Sequence, residues 1–108
     1  MDHIDIAKAI RDVTQRLDGV PREIIKQARE YAAAERKYRI ALKQEILTLR
    51  SQGLPATLIA DVARGNVAEL KFQRDLAESL FKAATESSKA LQAELSGLQS
   101  IFKQFNEV

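Results

Sequence analysis

The sequence predicts an all-α protein, an elongated antiparallel helical hairpin that assembles as a helical bundle. Two long stretches repeat apolar residues at alternating spacings of three and four, which is typical of amphipathic helices. Only four glycines and two prolines occur among 108 residues, and few such helix breakers favour long helices. Three of the six (Gly53, Pro55 and Gly65) lie together between the two stretches, so the chain is expected to reverse there.

The first helix is predicted over residues 3–18, with Asp2 as its N-cap and Gly19 as its end. It carries a narrow apolar stripe of His3, Ile6, Ile10, Val13 and Leu17. Pro21 disfavours helical geometry in the residue before it. We therefore expect a turn at Val20-Pro21 and a first helix that folds back antiparallel on the second.

The second helix is predicted over residues 22–52 and is apolar on two opposite sides. Its main face comprises Ile24, Ala28, Tyr31, Glu35, Tyr38, Leu42, Ile46 and Leu49. A thinner apolar line on the opposite side comprises Ala33, Ile40 and Leu47. Beside that line, every seventh residue is basic: Arg22, Arg29, Arg36, Lys43 and Arg50. A helix that is apolar on two sides usually has neighbours on two sides.

A short helix over residues 55–64 is predicted at the bend. Gly53 suits the left-handed conformation that ends a helix, and Asn66 with Glu69 has the spacing of a capping box for the next one. The short helix is either an apolar lid or a recognition element at the hairpin tip. The recognition candidates are Leu54, Leu58, Ile59, Asp61 and Arg64.

The last helix is predicted over residues 66–106, with coiled-coil-like apolar heptads from Leu70 onwards. A hairpin that folds about residue 60 brings Tyr38 to residues 80–84 and Tyr31 to Ser87 and Ser88. Large rings would then meet small side chains, as an interdigitated core requires.

Two helices of about 45 and 60 Å make a rod, since an α-helix rises about 1.5 Å per residue. Rods bury little surface, so association with a second copy is the economical way to cover the remaining apolar residues. We expect a homodimer or homotetramer. The candidate interface comprises Ala33, Ile40, Leu47, Leu98, Ile101, Phe102 and Phe105.

Composition excludes several functions. The chain has no cysteine, so it has neither disulfides nor thiolate metal sites. No apolar run approaches the roughly 18 residues that a membrane span needs, and we expect a cytoplasmic protein without cofactors. His3 is the only histidine, and Glu35 and Glu45 are about 15 Å apart along their helix. An enzyme is therefore not expected.

Two interpretations of the basic line remain open. Residues 22–52 contain eight Lys/Arg and four Glu. The chain from residue 66 onwards contains five Lys/Arg and six Asp/Glu. The line either binds the phosphates of a nucleic acid or nucleotide, or complements charges on a neighbouring subunit. Tyr31 and Tyr38 could likewise stack on bases, although core packing is the preferred interpretation.

Residues 47–70, with Tyr31, Glu35 and Tyr38 upstream, resemble small helical proteins encoded by phages and prophages of Gram-positive bacteria. The resemblance implies a phage accessory protein in the host cytoplasm. Such a protein would act in DNA metabolism or against host defence, with a host or phage protein as partner. The leading expectation is a non-catalytic, self-associating interaction protein, and the alternative is phosphate binding through the basic line.

Overall fold

The computed structural model describes residues 2–107. These residues form no strand and four helices: α1 (His3–Asp18), α2 (Val20–Ser51), α3 (Ala56–Asn66) and α4 (Ala68–Asn106). The all-α prediction is confirmed. The chain divides into two compact units: a central unit, Gln27–Phe81, and a terminal unit formed by the residues up to Lys26 with those from Lys82 onwards.

Asp2 caps α1 as its position predicts. Its side chain accepts a hydrogen bond from the backbone N–H of Asp5 at 2.9 Å, and the Asp5 carboxylate accepts one from the Asp2 N–H at 3.5 Å. This capping box satisfies two backbone donors that the first turn leaves without a partner. The helix buries Ile6 and Val13, at 0% and 4% exposure.

The predicted reversal at Val20-Pro21 is wrong. Gly19 has right-handed helical geometry (φ −86°, ψ −12°), and α2 begins at Val20. The Glu23 N–H donates to the Gly19 carbonyl at 3.2 Å. Pro21 lies in the first turn of α2, where a helix needs no N–H from it. The proline therefore helps to start a helix here, and a single residue separates α1 from α2.

In the terminal unit, α1 packs against the C-terminal part of α4. The His3 ring stacks on Phe102 at 4.6 Å between centroids, and its Nε2 is 3.2 Å from the side-chain oxygen of Asn106. Leu91 and Ser88 of α4 are buried at 7% and 6% exposure. The beginning of one helix thus meets the end of the other, which makes the pairing antiparallel.

The end of α2 is a Schellman motif, in which a left-handed residue lets two later N–H groups bond back to the last turn. Gly53 has φ +80°. Its N–H donates to the Arg50 carbonyl at 3.1 Å, and the Leu54 N–H donates to the Leu49 carbonyl at 3.2 Å. The predicted role of Gly53 is confirmed.

The short helix α3 packs along the last turns of α2. Leu49, Ile59 and Ala63 form a buried cluster with exposures of 8%, 8% and 0%, against which Leu42, Ile46 and Leu54 pack. Within the central unit, the two arms of the hairpin are therefore α2 on one side and α3 followed by the first part of α4 on the other. The reversal is confined to the few residues between α2 and α3, and the bend does not extend over residues 53–66 as predicted.

In the central unit, the register between α2 and the segment that packs on it differs from the predicted one. Asn66 donates to Glu45 at 2.7 Å, and the Arg74 guanidinium lies 4.9 Å from the ring centroid of Tyr38. The Tyr31 ring is 6.2 Å from that of Phe81. These antiparallel pairs centre the hairpin near Pro55 instead of residue 60.

Two predicted local contacts are consequently corrected. The Tyr38 ring meets Arg74, which lies six residues before the predicted region 80–84. Tyr31 packs by Phe81, and its hydroxyl donates to Glu78 at 3.4 Å. In both cases the cause is α3, which occupies the α2 surface that the predicted register gave to the last helix.

Asn66 does not cap α4. It is the last residue of α3, and its side-chain amide donates to Glu45 of α2. Glu69 accepts instead from Gln73 within α4, at 2.9 Å. The predicted capping box fails because a carboxylate on the neighbouring helix binds the asparagine amide.

Candidate functional site

The basic line predicted on α2 is exposed and carries no ion pairs. In the central unit it comprises Arg29, Arg36, Lys43 and Arg50; Arg22 is exposed in the terminal unit. Among residues 2–107, none of the five forms an ion pair or a side-chain hydrogen bond. Their charges are free to meet an anionic partner.

Apolar side chains lie between the cations of the central unit. Ile40 and Leu47 are 48% and 51% exposed, and Ala33 is exposed one heptad before Ile40. All three were predicted to lie on a second apolar side, and the structure leaves them uncovered within the monomer. We call the set Ala33, Ile40 and Leu47 with Arg29, Arg36, Lys43 and Arg50 the basic–apolar face of α2.

Two open grooves border this face. One, of about 420 Å³, is lined by Leu42, Ile46 and Leu47 with Arg39, Lys43 and Arg50. The other, of about 570 Å³, includes Ala33, Ile40 and Leu70 with Arg36 and Lys37. Neither lining contains an acidic residue. Each groove can therefore accept an apolar side chain beside a negative charge.

Other cations of the central unit are neutralised by carboxylates. Arg74 donates to Glu35 at 2.9 Å and to Asp75 at 2.8 Å, while Lys71 donates to Asp75 at 2.8 Å. Arg39 also donates to Glu35. This cluster bridges α2 and α4, with the Arg74 guanidinium over the Tyr38 ring. Within the central unit, Arg39, Lys71 and Arg74 are therefore paired with carboxylates, whereas the cations of the basic–apolar face are not.

The cluster shifts the ionisation of its members. Hydrogen bonds from Arg74 and then Arg39 lower the pKa of the Glu35 carboxyl. Those from Lys71 and then Arg74 lower the pKa of Asp75, and Glu35 raises the pKa of Arg74. Each partner favours the charged form of the other. These groups hold the arms together and have no proton to exchange near neutral pH.

The predicted candidates for stacking or catalysis all have structural contacts. Tyr38 is only 8% exposed and Tyr31 is half-buried beside Phe81, so both rings pack within the chain, as the preferred interpretation expects. Glu35 is bound by two arginines and Glu45 by Asn66. Within the described part of the chain, no three His, Cys, Asp or Glu residues are grouped closely enough to hold a metal ion.

The predicted tip candidates separate by burial. Ile59 belongs to the core cluster and Leu54 packs against it, so Ile59 is corrected from a recognition candidate to a core residue. Leu58 is 50% exposed, and Asp61 and Arg64 are exposed. The α3 surface thus retains three of the five candidates.

The C-terminal interface candidates are partly covered by α1. Phe102 is half-buried under His3, and Phe105 meets the edge of the same ring at 6.3 Å while remaining 46% exposed. Leu98 is half-buried and Ile101 is 42% exposed. The predicted need for a second subunit at this end is therefore smaller than the sequence suggests.

A surface missed in the sequence lies on α4 of the central unit. Phe72, Leu76 and Leu80 are 58%, 45% and 46% exposed. They follow one another at intervals of four residues, which places them on one side of a helix. We call them the α4 stripe. That interval could have revealed them, but the heptads counted from Leu70 onwards include Leu80 and neither Phe72 nor Leu76.

None of the described helices is both long and apolar enough to cross a membrane. Comparison with known proteins finds no matching family model, no matching curated protein and no matching solved structure. A proposal of function therefore rests on the chemistry of the basic–apolar face of α2 and of the α4 stripe.

Proposed function

We propose that this chain is a non-catalytic helical interaction protein that associates with a second copy of itself through the α4 stripe. The supporting observation is the exposure of Phe72, Leu76 and Leu80 on one side of a helix. Among the described residues, eleven large hydrophobic side chains are exposed while eight apolar residues are buried. A small domain with that balance gains stability by covering apolar surface.

The stripe suits a two-fold contact because its three side chains are apolar and exposed on one side of a helix. Beside it, Lys71 and Asp75 neutralise one another at 2.8 Å. Glu69, which accepts from Gln73, and the exposed Glu30 keep their charges. Two copies can face each other through the apolar side chains, as an isologous interface requires, with these carboxylates left at its edge. Covering the exposed half of each side chain contributes about 1 kcal/mol. Six such side chains support a weak, concentration-dependent association.

The test is molar mass measured by light scattering or sedimentation over about a hundredfold range of concentration. The wild-type protein is expected to associate, and Leu76→Glu is expected to remain monomeric. Leu58→Glu is the matched control, because Leu58 on α3 is similarly exposed, at 50% against 45% for Leu76. A wild-type monomer throughout, or equal dissociation by both variants, would refute this interface.

We also propose that the protein is a phage accessory protein that acts in the host cytoplasm, as the resemblance of residues 47–70 implies. No exposed face described above favours a particular biological process. Recovery of the protein with its bound components from phage-infected cells tests this setting. Failure to find the protein in infected cells would argue against it.

The alternative function, binding of nucleic acid or nucleotide phosphates, draws support from the unpaired cations of α2. Two features weigh against it. Duplex DNA carries one charge per about 1.7 Å of its axis, whereas cations seven residues apart on a helix lie about 10.5 Å apart. Half-exposed Ile40 and Leu47 would also lie against the charged backbone. Nucleic acid is therefore the competing outcome of the experiment below.

A further inference from the structure

The basic–apolar face of α2 has a regular composition in the central unit. Arg29, Arg36, Lys43 and Arg50 recur every seventh residue, and Ala33, Ile40 and Leu47 recur at the same interval between them. All seven side chains are exposed, and the cations have no ion-pair partner among the described residues. Cation and apolar side chain thus alternate along one side of a single helix.

This alternation argues against a second copy of the chain as the partner that binds this face. If two copies paired through this face, the arginines and the lysine of one α2 would lie against those of the other. Like charges in contact across a helical interface are destabilising, and no carboxylate lines either neighbouring groove to offset them. Self-association belongs to the uncharged α4 stripe, and the face on α2 requires a partner of opposite charge.

The spacing indicates what that partner looks like. Two helices that pack side by side repeat their contacts every seven residues, about 10.5 Å along the axis. A helix with apolar residues at that interval can place them over Ile40 and Leu47 and into the two grooves. Acidic residues beside them then reach Arg36, Lys43 and Arg50 one by one. A rim of such pairs sets orientation and partner choice, while the apolar contacts supply affinity.

We propose that the basic–apolar face of α2 binds an acidic amphipathic helix of a partner protein. The complex pairs heptad-spaced leucines or similar residues of the partner with Ile40 and Leu47, and its carboxylates with the unpaired cations. This site is separate from the self-association surface, so either can fail without the other.

The test uses a synthetic acidic probe: a labelled peptide of about four heptads with leucine facing α2 and glutamate on both flanks. A second peptide carries lysine in place of each glutamate, and a duplex DNA oligonucleotide is the third probe. Fluorescence anisotropy with the full chain measures all three at low and moderate salt. The acidic peptide is expected to bind, and the lysine peptide and the duplex are expected to bind at least about tenfold more weakly.

Two double variants separate the apolar and the ionic contributions. Ile40→Ser/Leu47→Ser and Arg36→Glu/Lys43→Glu are each expected to weaken binding of the acidic peptide by about tenfold or more. The charge reversal should also gain affinity for the lysine peptide. Val62→Ser is the control, because Val62 is 37% exposed on α3, belongs to neither proposed surface and should leave binding unchanged. Helical circular dichroism shows whether each variant is folded.

Three results overturn the proposal. The first is no binding of the acidic peptide by a folded wild-type protein. The second is binding that depends on the charges but not on Ile40 and Leu47, which indicates unspecific electrostatic attraction. The third is tighter binding of the duplex than of the acidic peptide, which assigns the cations to nucleic acid.

Discussion

The buried cluster that joins α3 to α2 allows a quantitative test of the fold. Replacing Leu49 by alanine removes a side chain that is 8% exposed and packs with Ile59 and Ala63. Two residues earlier on the same helix, Leu47 is 51% exposed. The same substitution at the two positions therefore differs only in how much buried surface it removes.

The magnitudes follow from those exposures. Burial of a whole leucine side chain contributes about 1.5–3 kcal/mol, and the cavity left by alanine raises the cost of Leu→Ala in a core to about 2–5 kcal/mol. The cluster is small and lies at one side of two helices, where partial collapse is easy, so about 3 kcal/mol is expected for Leu49→Ala. Leu47→Ala removes half as much contact and leaves no cavity, so about 1 kcal/mol or less is expected.

Urea unfolding followed by circular dichroism measures both free energies of unfolding. Several protein concentrations are needed, because self-association would add a concentration-dependent contribution. If Leu49→Ala costs no more than Leu47→Ala at low concentration, α3 does not pack on α2 as described. The register of the central unit would then lose its physical basis.

Three further predictions test the turn, the ion-pair cluster and the cap. Gly53→Ala should lower the free energy of unfolding by about 1 kcal/mol, because φ is +80° at this position. Gly97 lies inside α4 with open space around it, so Gly97→Ala should raise the free energy of unfolding by about 0.5–1 kcal/mol. Shifts of the urea midpoint in the same direction for both variants would contradict this prediction. Folding lowers the pKa values of the Glu35 and Asp75 carboxyls. Their contribution to the free energy of unfolding is therefore complete above their ordinary pKa values of 4.5 and 3.8. It is lost as the pH falls through the lowered pKa values of the folded state. Unfolding curves recorded from neutral pH into acid should show this loss, and Glu35→Gln should reduce the slope; an unchanged slope counts against the cluster. Asp2→Ala should cost up to about 1 kcal/mol and Asp2→Asn much less, because asparagine also caps helices; equal losses measured by thermal unfolding would mean that the cap contributes nothing.

The local features of this fold could be predicted because they depend on residues adjacent in sequence. The cap at Asp2 and the helix end at Gly53 each follow from one side chain and the backbone beside it. Pro21 was misjudged for a related reason. A proline both disfavours helix before it and favours the first turn of a helix, and the surrounding residues decide which effect prevails.

The register between the arms could not be predicted from the sequence. Apolar residues recur along both long helices, so several alignments bury similar side chains and the pattern does not distinguish them. Packing of Ile59 against Leu49 selects one of these alignments. In that alignment α3 packs along the end of α2 and the α4 stripe stays exposed. The sequence does not show this alignment, and the stripe was therefore missed as a candidate surface.

The sequence by itself determined that the protein is helical, approximately where each helix begins and ends, and that α2 carries a line of cations. Each of these properties is local or periodic and can be derived from neighbouring residues. Tertiary structure alone decided which apolar residues remain uncovered and which charges find partners, since both depend on contacts between distant segments. The proposed interaction surfaces are what those contacts leave exposed.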